Sequence, residues 1–277
     1  MMSIAYSDFG LNYGEYANNG YSLSLNGGST NKYLDTENGS LNGFKISASN
    51  TFYNFYNEAN FSYYSGSDSY TGATLITNIP VIGKTNSKIY NFNYKLGYMI
   101  PITNNFIITP YGELGWHIWK RDNIGGNNGQ NEHYSNWLAM IGILGQYAFT
   151  PKLVGDLEFS YGTTFDTLMQ NNTATTSEYY DCSGSSCSYL GSIYNTTTVD
   201  LGSKYIYDIT GGLDYNFFDN FHIFGNIKYE RFKYRQSSLN SYPIYDQNGN
   251  LIRISDWWEP NSVTNEIIYS IGIGYSF

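Results

Sequence analysis

Apolar and polar residues alternate with a period of two along most of the chain. The clearest run sets Tyr90, Phe92, Tyr94, Leu96, Tyr98 and Ile100 on one side and Asn91, Asn93, Lys95 and Gly97 on the other. Successive side chains of a strand point to opposite faces, so this is the signature of a strand with one apolar face. The end of the chain repeats it, with Ile267, Tyr269, Ile271, Ile273, Tyr275 and Phe277 opposed to Glu266, Ser270, Gly272, Gly274 and Ser276. Such a face meets either the core of a soluble sandwich or a bilayer, and one strand does not decide between them.

The same pattern predicts about ten strands, near residues 3–16, 40–51, 55–64, 90–100, 106–121, 134–149, 153–165, 204–217, 221–230 and 265–277. In the first, Ala5, Phe9, Leu11 and Tyr13 are expected on the apolar face, against Asp8, Gly10, Asn12 and Gly14. The sixth is apolar on both faces between Leu138 and Leu144, which leaves its facing open. Between strands, long polar loops (18–39, 65–87, 122–133, 166–199 and 236–261) alternate with short turns at Tyr53–Asn54, after Pro101, at Thr150–Pro151 and at Asp219–Asn220. An even number of antiparallel strands, with short connections at one end and long ones at the other, is the organisation of a transmembrane barrel.

Composition agrees. The 277 residues include 30 Tyr, 16 Phe and 29 Gly, and the aromatics suit strands and membrane interfaces while glycine relieves crowding in a curved sheet. No run approaches the ~18 apolar residues of a membrane helix, whereas a barrel strand needs only ~9–11 residues. The net charge of −9, with no Lys/Arg cluster, argues against nucleic acid as a partner. The start MMSIAYSDFG has no leader pattern and reads as a mature or trimmed chain. The expectation is one domain, residues 1–277, forming an all-β, antiparallel up-and-down transmembrane barrel. Phe52, Tyr98, Phe149, Tyr215, Phe217, Phe221, Tyr275 and Phe277 cluster next to the short turns, as an aromatic girdle does.

The closing strand, with Phe277 terminal and Tyr275 two positions before it, resembles the insertion signal of Gram-negative outer-membrane proteins. Strand number and loop asymmetry look like the ten-stranded omptin-type and Opc-type barrels. That resemblance implies an outer-membrane location, contact with membrane lipid and lipopolysaccharide, and delivery by the barrel-assembly machinery. Omptin proteases carry a paired-Asp element and an Asp-x-His element. Here the second loop offers only Asp68 in SGSDSYTG, the stretch after Phe165 reads DTLMQNN without His, and His133 lies one hairpin too early. No catalytic, cofactor or metal residues are therefore assigned.

Charged residues recur opposite the apolar stripe. Lys45, Glu58, Lys95, Glu113, Asp156, Glu158, Asp208, Lys228 and Glu230 are expected in the lumen, because a Lys at the lipid midplane costs ~2–4 kcal/mol. Paired charges bracing a packed lumen are the expected arrangement, and an ion path is the alternative. His117 and His133 flank one hairpin loop near Glu113, Lys120, Arg121, Asp122 and Glu132, as rim polar residues or as an acid–base pair. His222, close to a short turn, reads as structural. Trp257, Trp258, Tyr242 and Tyr245 put aromatics in an otherwise polar outer loop, where they either anchor a host or environmental surface ligand or fold the loop onto the rim. Cys182 and Cys187, in YDCSGSSCSY, suit a local disulfide, with two free thiols as the alternative. The functional expectation is a monomeric, adhesin-like barrel with an occluded polar lumen; a small porin is the alternative and an omptin-like hydrolase the third.

Overall fold

The computed structural model describes the backbone except at residues 17–22, 26–28, 32–33, 74–79, 127–128, 184–185 and 246–250, and the side chains except at 8–10, 12–33, 74–79, 127–128, 172–197, 242–250 and 252–257. Ten strands form a closed antiparallel ring: β1 (Met2–Tyr16), β2 (Asp35–Phe52), β3 (Phe55–Ala73), β4 (Pro80–Tyr98), β5 (Phe106–Ile124), β6 (Gln130–Thr150), β7 (Leu153–Ser183), β8 (Tyr205–Phe218), β9 (Phe221–Tyr234) and β10 (Asn261–Tyr275). Each pairs with its neighbours in sequence, and β1 closes the ring on β10 from Met2 opposite Tyr275 to Tyr16 opposite Asn261. Closure leaves no strand edge unpaired, the condition for a sheet to cross lipid.

Alternation holds around the ring. On β3, Phe61 faces out while Asn60 and Ser62 are buried; on β7, Leu157, Phe159 and Tyr161 face out while Ser160 and Thr164 are buried. The outward stripe on β3 is apolar from Phe55 to Tyr63 except at Asn57, and polar beyond it, at Ser65, Ser67 and Ser69. That length matches the ~9–11 residues of a membrane-crossing strand, so the upper parts of the strands stand clear of lipid. The girdle residues are exposed at the short-turn end, Phe277 most of all at 85%. One turn, Tyr53–Asn54, holds both residues at positive φ (47° and 67°), the twist that a two-residue hairpin loop needs.

Two expectations of facing are settled. On β6, Leu138, Met140 and Leu144 point inward and Trp137, Ile141 and Ile143 outward, Ile141 with 73% of its surface exposed. On β1 the expected facing is reversed: Ala5, Ser7 and Leu11 are buried in the lumen, and Met2, Ile4 and Tyr6 face out. Register is the reason. Ile4 lies opposite Ile46 on β2 and Ile273 on β10, both outward, and directly paired residues share a face. Phe9 and Tyr13 lie outside the described side chains.

Most of the expected long loops are not loops. β3 and β4 run on as a paired ribbon to Ala73 opposite Pro80, and β7 continues past Asp166 to pair with a strand at Ser186–Leu201. A further hairpin, Asn240–Tyr245 with Leu251–Trp257, joins this outer sheet through Ser192 opposite Tyr245. Thr, Ser and Tyr recur in these ribbons; Thr and Tyr favour strand, but no continuous apolar stripe reveals it.

Candidate functional site

The lumen divides into two levels. The lower, toward the short turns, contains a chamber of about 410 Å³ walled by charged and amide side chains. All nine residues expected in the lumen line it: Lys45, Glu58, Lys95, Glu113, Asp156, Glu158, Asp208, Lys228 and Glu230. Most of them fall into two clusters. In one, Lys95 on β4 reaches across the lumen to bond Glu158 on β7 and lies 3.6 Å from Glu58. Asn60 donates to Glu58 at 2.6 Å, and Tyr56 and Tyr111 donate to Glu58 and Glu158. Tyr111 lies over the β6 backbone at Gly142, where an added Cβ would meet its ring and force it to shift. In the other cluster Lys228 pairs with Glu230 and lies 3.7 Å from Asp208, which accepts from Ser160 at 2.6 Å. Glu113 accepts from Asn93. Charges desolvated this way are tolerable only when paired and hydrogen-bonded, as these are.

The upper level is closed by large side chains. Trp119, Arg121, Tyr134, Tyr234, Leu41, Ile89 and Met169 are almost completely buried. The Arg121 guanidinium on β5 donates to Glu37 on β2 at 2.8 Å and to Glu132 on β6 at 2.7 Å, with Asp35 3.9 Å away. Thr85 also donates to Glu37, at 2.8 Å. The guanidinium carbon sits 5.3 Å from the Trp119 ring centroid and 5.8 Å from that of Tyr134. The Tyr134 hydroxyl donates to Glu259 at 2.9 Å, and that of Tyr234 to Asn136 at 2.7 Å. Partners come from opposite walls, so the layer spans the lumen. Sequence reasoning missed it, because 18–39 reads as a polar loop and Glu37 within it gives no sign of being buried.

Asp68 on β3 joins this layer. Its carboxylate lies over Gly39 on the paired strand, where a Cβ would fall 2.1 Å from Oδ1. Neither oxygen has a hydrogen bond of good geometry. Burial pushes its pKa up to about 6; the Glu37 charge adds to the rise, while the Ser87 hydroxyl and Arg121 oppose it.

The histidines separate. His117 points into the lumen, its Nδ1 2.6 Å from Asn91 Oδ1 and its ring against Phe232. His133, paired with Lys120 on β5, sits 3.7 Å from Asp122. The two therefore do not form one site. His222, read as structural, has the most specific geometry: Nδ1 is 2.9 Å from Asp214 Oδ1 and Nε2 is 2.8 Å from Ser276 Oγ. These residues come from β8, β9 and the end of the chain after β10, and no local spacing announces them.

At the outer end Trp258 is exposed at 41%. The side chains of Trp257, Tyr242, Tyr245, Cys182 and Cys187 lie outside those described; the backbone register sets Cys182 opposite Cys187. Among the described residues, no group of three His, Cys, Asp or Glu side chains is arranged to hold a metal ion.

No protein-family model matches the chain, and no curated protein matches it by sequence. Solved structures do match by fold. The outer-membrane protease OmpT from Escherichia coli superposes with a TM-score of 0.59 at 13% identity, over 100% of this chain and 96% of that one. The translocator domain of the autotransporter NalP from Neisseria meningitidis (TM-score 0.35, 12% identity, 100% and 88% covered) and Ail, the attachment invasion locus protein of Yersinia pestis (0.29, 10%, 100% and 97%), superpose more loosely. At such identities the likeness concerns fold. With its closed ring, apolar belt and aromatic girdle, the chain has the fold of an outer-membrane β-barrel.

Proposed function

We propose that the protein works at the cell surface through its outer β-ribbons, as an adhesin-like barrel that binds a host or environmental partner and does not conduct. The observation that carries this reading is the closing layer of Trp119, Arg121, Tyr134 and Tyr234 across the lumen. A pore has no use for fully buried aromatics stacked over a bridged guanidinium, whereas a rigid platform for ribbons that rise above the membrane does. The ribbon of β3 and β4 presents Ser67 and Ser69 to the outside, and an aromatic, Trp258, is exposed near the rim of the barrel. Aromatics in such places anchor protein or glycan partners.

On this reading the barrel is a monomer held in lipid and lipopolysaccharide and inserted by the barrel-assembly machinery. A porin-like role is weakened by the same closing layer. An omptin-like hydrolase gains nothing from Asp68, which is buried beside Gly39, nor from His133, which lies beside Asp122.

Two measurements test the proposal. Single-channel recording of the purified barrel in planar bilayers is expected to show no discrete conductance. Deletion of residues 241–260 is expected to abolish binding of barrel-bearing cells or vesicles to host surfaces while heat-modifiable migration persists. Stable conductance steps in the intact barrel, or undiminished binding after the deletion, would sink it.

A further inference from the structure

The geometry at the short-turn rim points to a second function. We infer that Ser276, His222 and Asp214 form a nucleophilic triad that hydrolyses small carboxylic esters at the periplasmic mouth of the polar chamber. Asp214 and His222 both line that chamber, and Ser276, just after β10, meets His222 there. Tyr275 and Phe277, its sequence neighbours, face outward as part of the girdle.

With the imidazole neutral, the hydrogen bonds assign the roles. An ionised carboxylate only accepts, so the contact of 2.9 Å makes His222 Nδ1 the donor to Asp214. In the neutral imidazole Nε2 is then the acceptor, and the contact of 2.8 Å makes the Ser276 hydroxyl the donor to it. A serine donating to the Nε2 of a histidine whose Nδ1 is held by a carboxylate is the arrangement that generates a serine nucleophile, recognised by geometry rather than by order in the chain. A bare tether between the last strand and β9 would need one of these bonds, not both on the correct nitrogens.

The reaction balances with water as the only co-reactant. Ser276 Oγ bonds to the acyl carbon as its proton passes to His222 Nε2. The bond from acyl carbon to alcohol oxygen breaks, and the alcohol departs with that proton. Water then gives its proton to Nε2 and its oxygen to the acyl carbon, and Ser276 leaves with its proton restored. The products are one acid and one alcohol. Asp214 is a positioning residue that holds the imidazole tautomer. The polar chamber, of about 410 Å³, suits a short and polar acyl group.

The test uses the full chain refolded in detergent, with folding verified by heat-modifiable migration. A fluorophosphonate probe is expected to label one residue, Ser276 by peptide mapping, and His222→Ala to abolish the label. Hydrolysis of p-nitrophenyl acetate is expected to fall at least about 100-fold in Ser276→Ala. Asp214→Asn is expected to reduce kcat and displace the pH profile, which a structural role would not do. No labelling of the folded wild-type barrel above that of Ser276→Ala, or labelling that maps elsewhere, overturns the inference. So does a loss of melting temperature in the variants without any label in the parent.

Discussion

Tyr134 on β6 stacks on Tyr234 on β9 across the upper lumen, ring centroids 5.6 Å apart and planes 9° from parallel. The two strands are separated by β7 and β8 in the ring, so the stack is a strut between walls. Trp119 extends it toward β5, 5.8 Å from Tyr134. Replacing both tyrosines by alanine removes the strut and opens a path between the outer ribbons and the polar chamber. Planar-bilayer recording of Tyr134→Ala/Tyr234→Ala is expected to show conductance steps absent from the parent. A silent double variant would mean that the lumen is sealed elsewhere.

Arg121 holds two buried carboxylates from different strands, and both depend on it. Substituting methionine keeps the packing of the stem but takes from Glu37 and Glu132 the guanidinium that both accept from. Removing one partner of a buried ion pair costs about 3–5 kcal/mol, because the remaining charge is uncompensated. Arg121→Met is therefore expected to lose stability of that order in urea-unfolding titrations followed by tryptophan fluorescence. Arg121→Lys is expected to recover only part of it, since one ammonium does not reproduce the fork that meets Glu37 and Glu132 at once. Equal stability of the two variants would count against the bidentate role.

Lys95 acts lower in the barrel and separately. Its ammonium bonds Glu158 across the lumen and lies 5.0 Å from the Tyr111 ring. Lys95→Met is expected to lower the melting temperature and leave the bilayer recording as silent as in the parent, because the closing layer stands above it. Conductance appearing with melting unchanged would instead make Lys95 part of a gate.

How much of this is legible in the sequence depends on which solvent a residue meets. Lipid enforces alternation on the outward face, so Phe92, Tyr94 and Leu96 declare β4 unaided, and so do Leu157, Phe159 and Tyr161 on β7. The inward face obeys no such rule where the lumen is packed. Ala5 and Leu11 are apolar and point inward, so β1 reads backwards until its register with Ile46 and Ile273 is known. Trp119, Tyr134 and Ile89 look like lipid-facing residues but build the closing layer. The ribbons above the membrane are hidden for the opposite reason, since Ser, Thr, Asn and Gly interrupt any apolar stripe along them. Charged lumen residues such as Lys95 and Glu158 are found from their side of the strand, but their pairing across the barrel is not. Sites assembled from distant strands, as His222 and Ser276 are, leave no spacing to read.

Asp68 gives the layer a dependence on pH. Its pKa rises on folding, from an ordinary 3.8 to about 6, chiefly because burial disfavours the charge. The folded protein thus binds the proton more tightly than the unfolded chain does. The resulting stabilisation is complete below pH ~4 and is lost as pH climbs through about 6, reaching at most about 3 kcal/mol. The barrel is expected to be more stable to urea at pH 5 than at pH 7.5. Asp68→Asn keeps the shape without the charge; it is expected to gain about 1–3 kcal/mol at pH 7.5 and to make the profile between pH 5 and 7.5 shallower. Gly39→Ala should act in the other direction at every pH, because the added Cβ falls on Asp68 Oδ1. A pH profile unchanged in Asp68→Asn would transfer the effect to another group and remove Asp68 from the account.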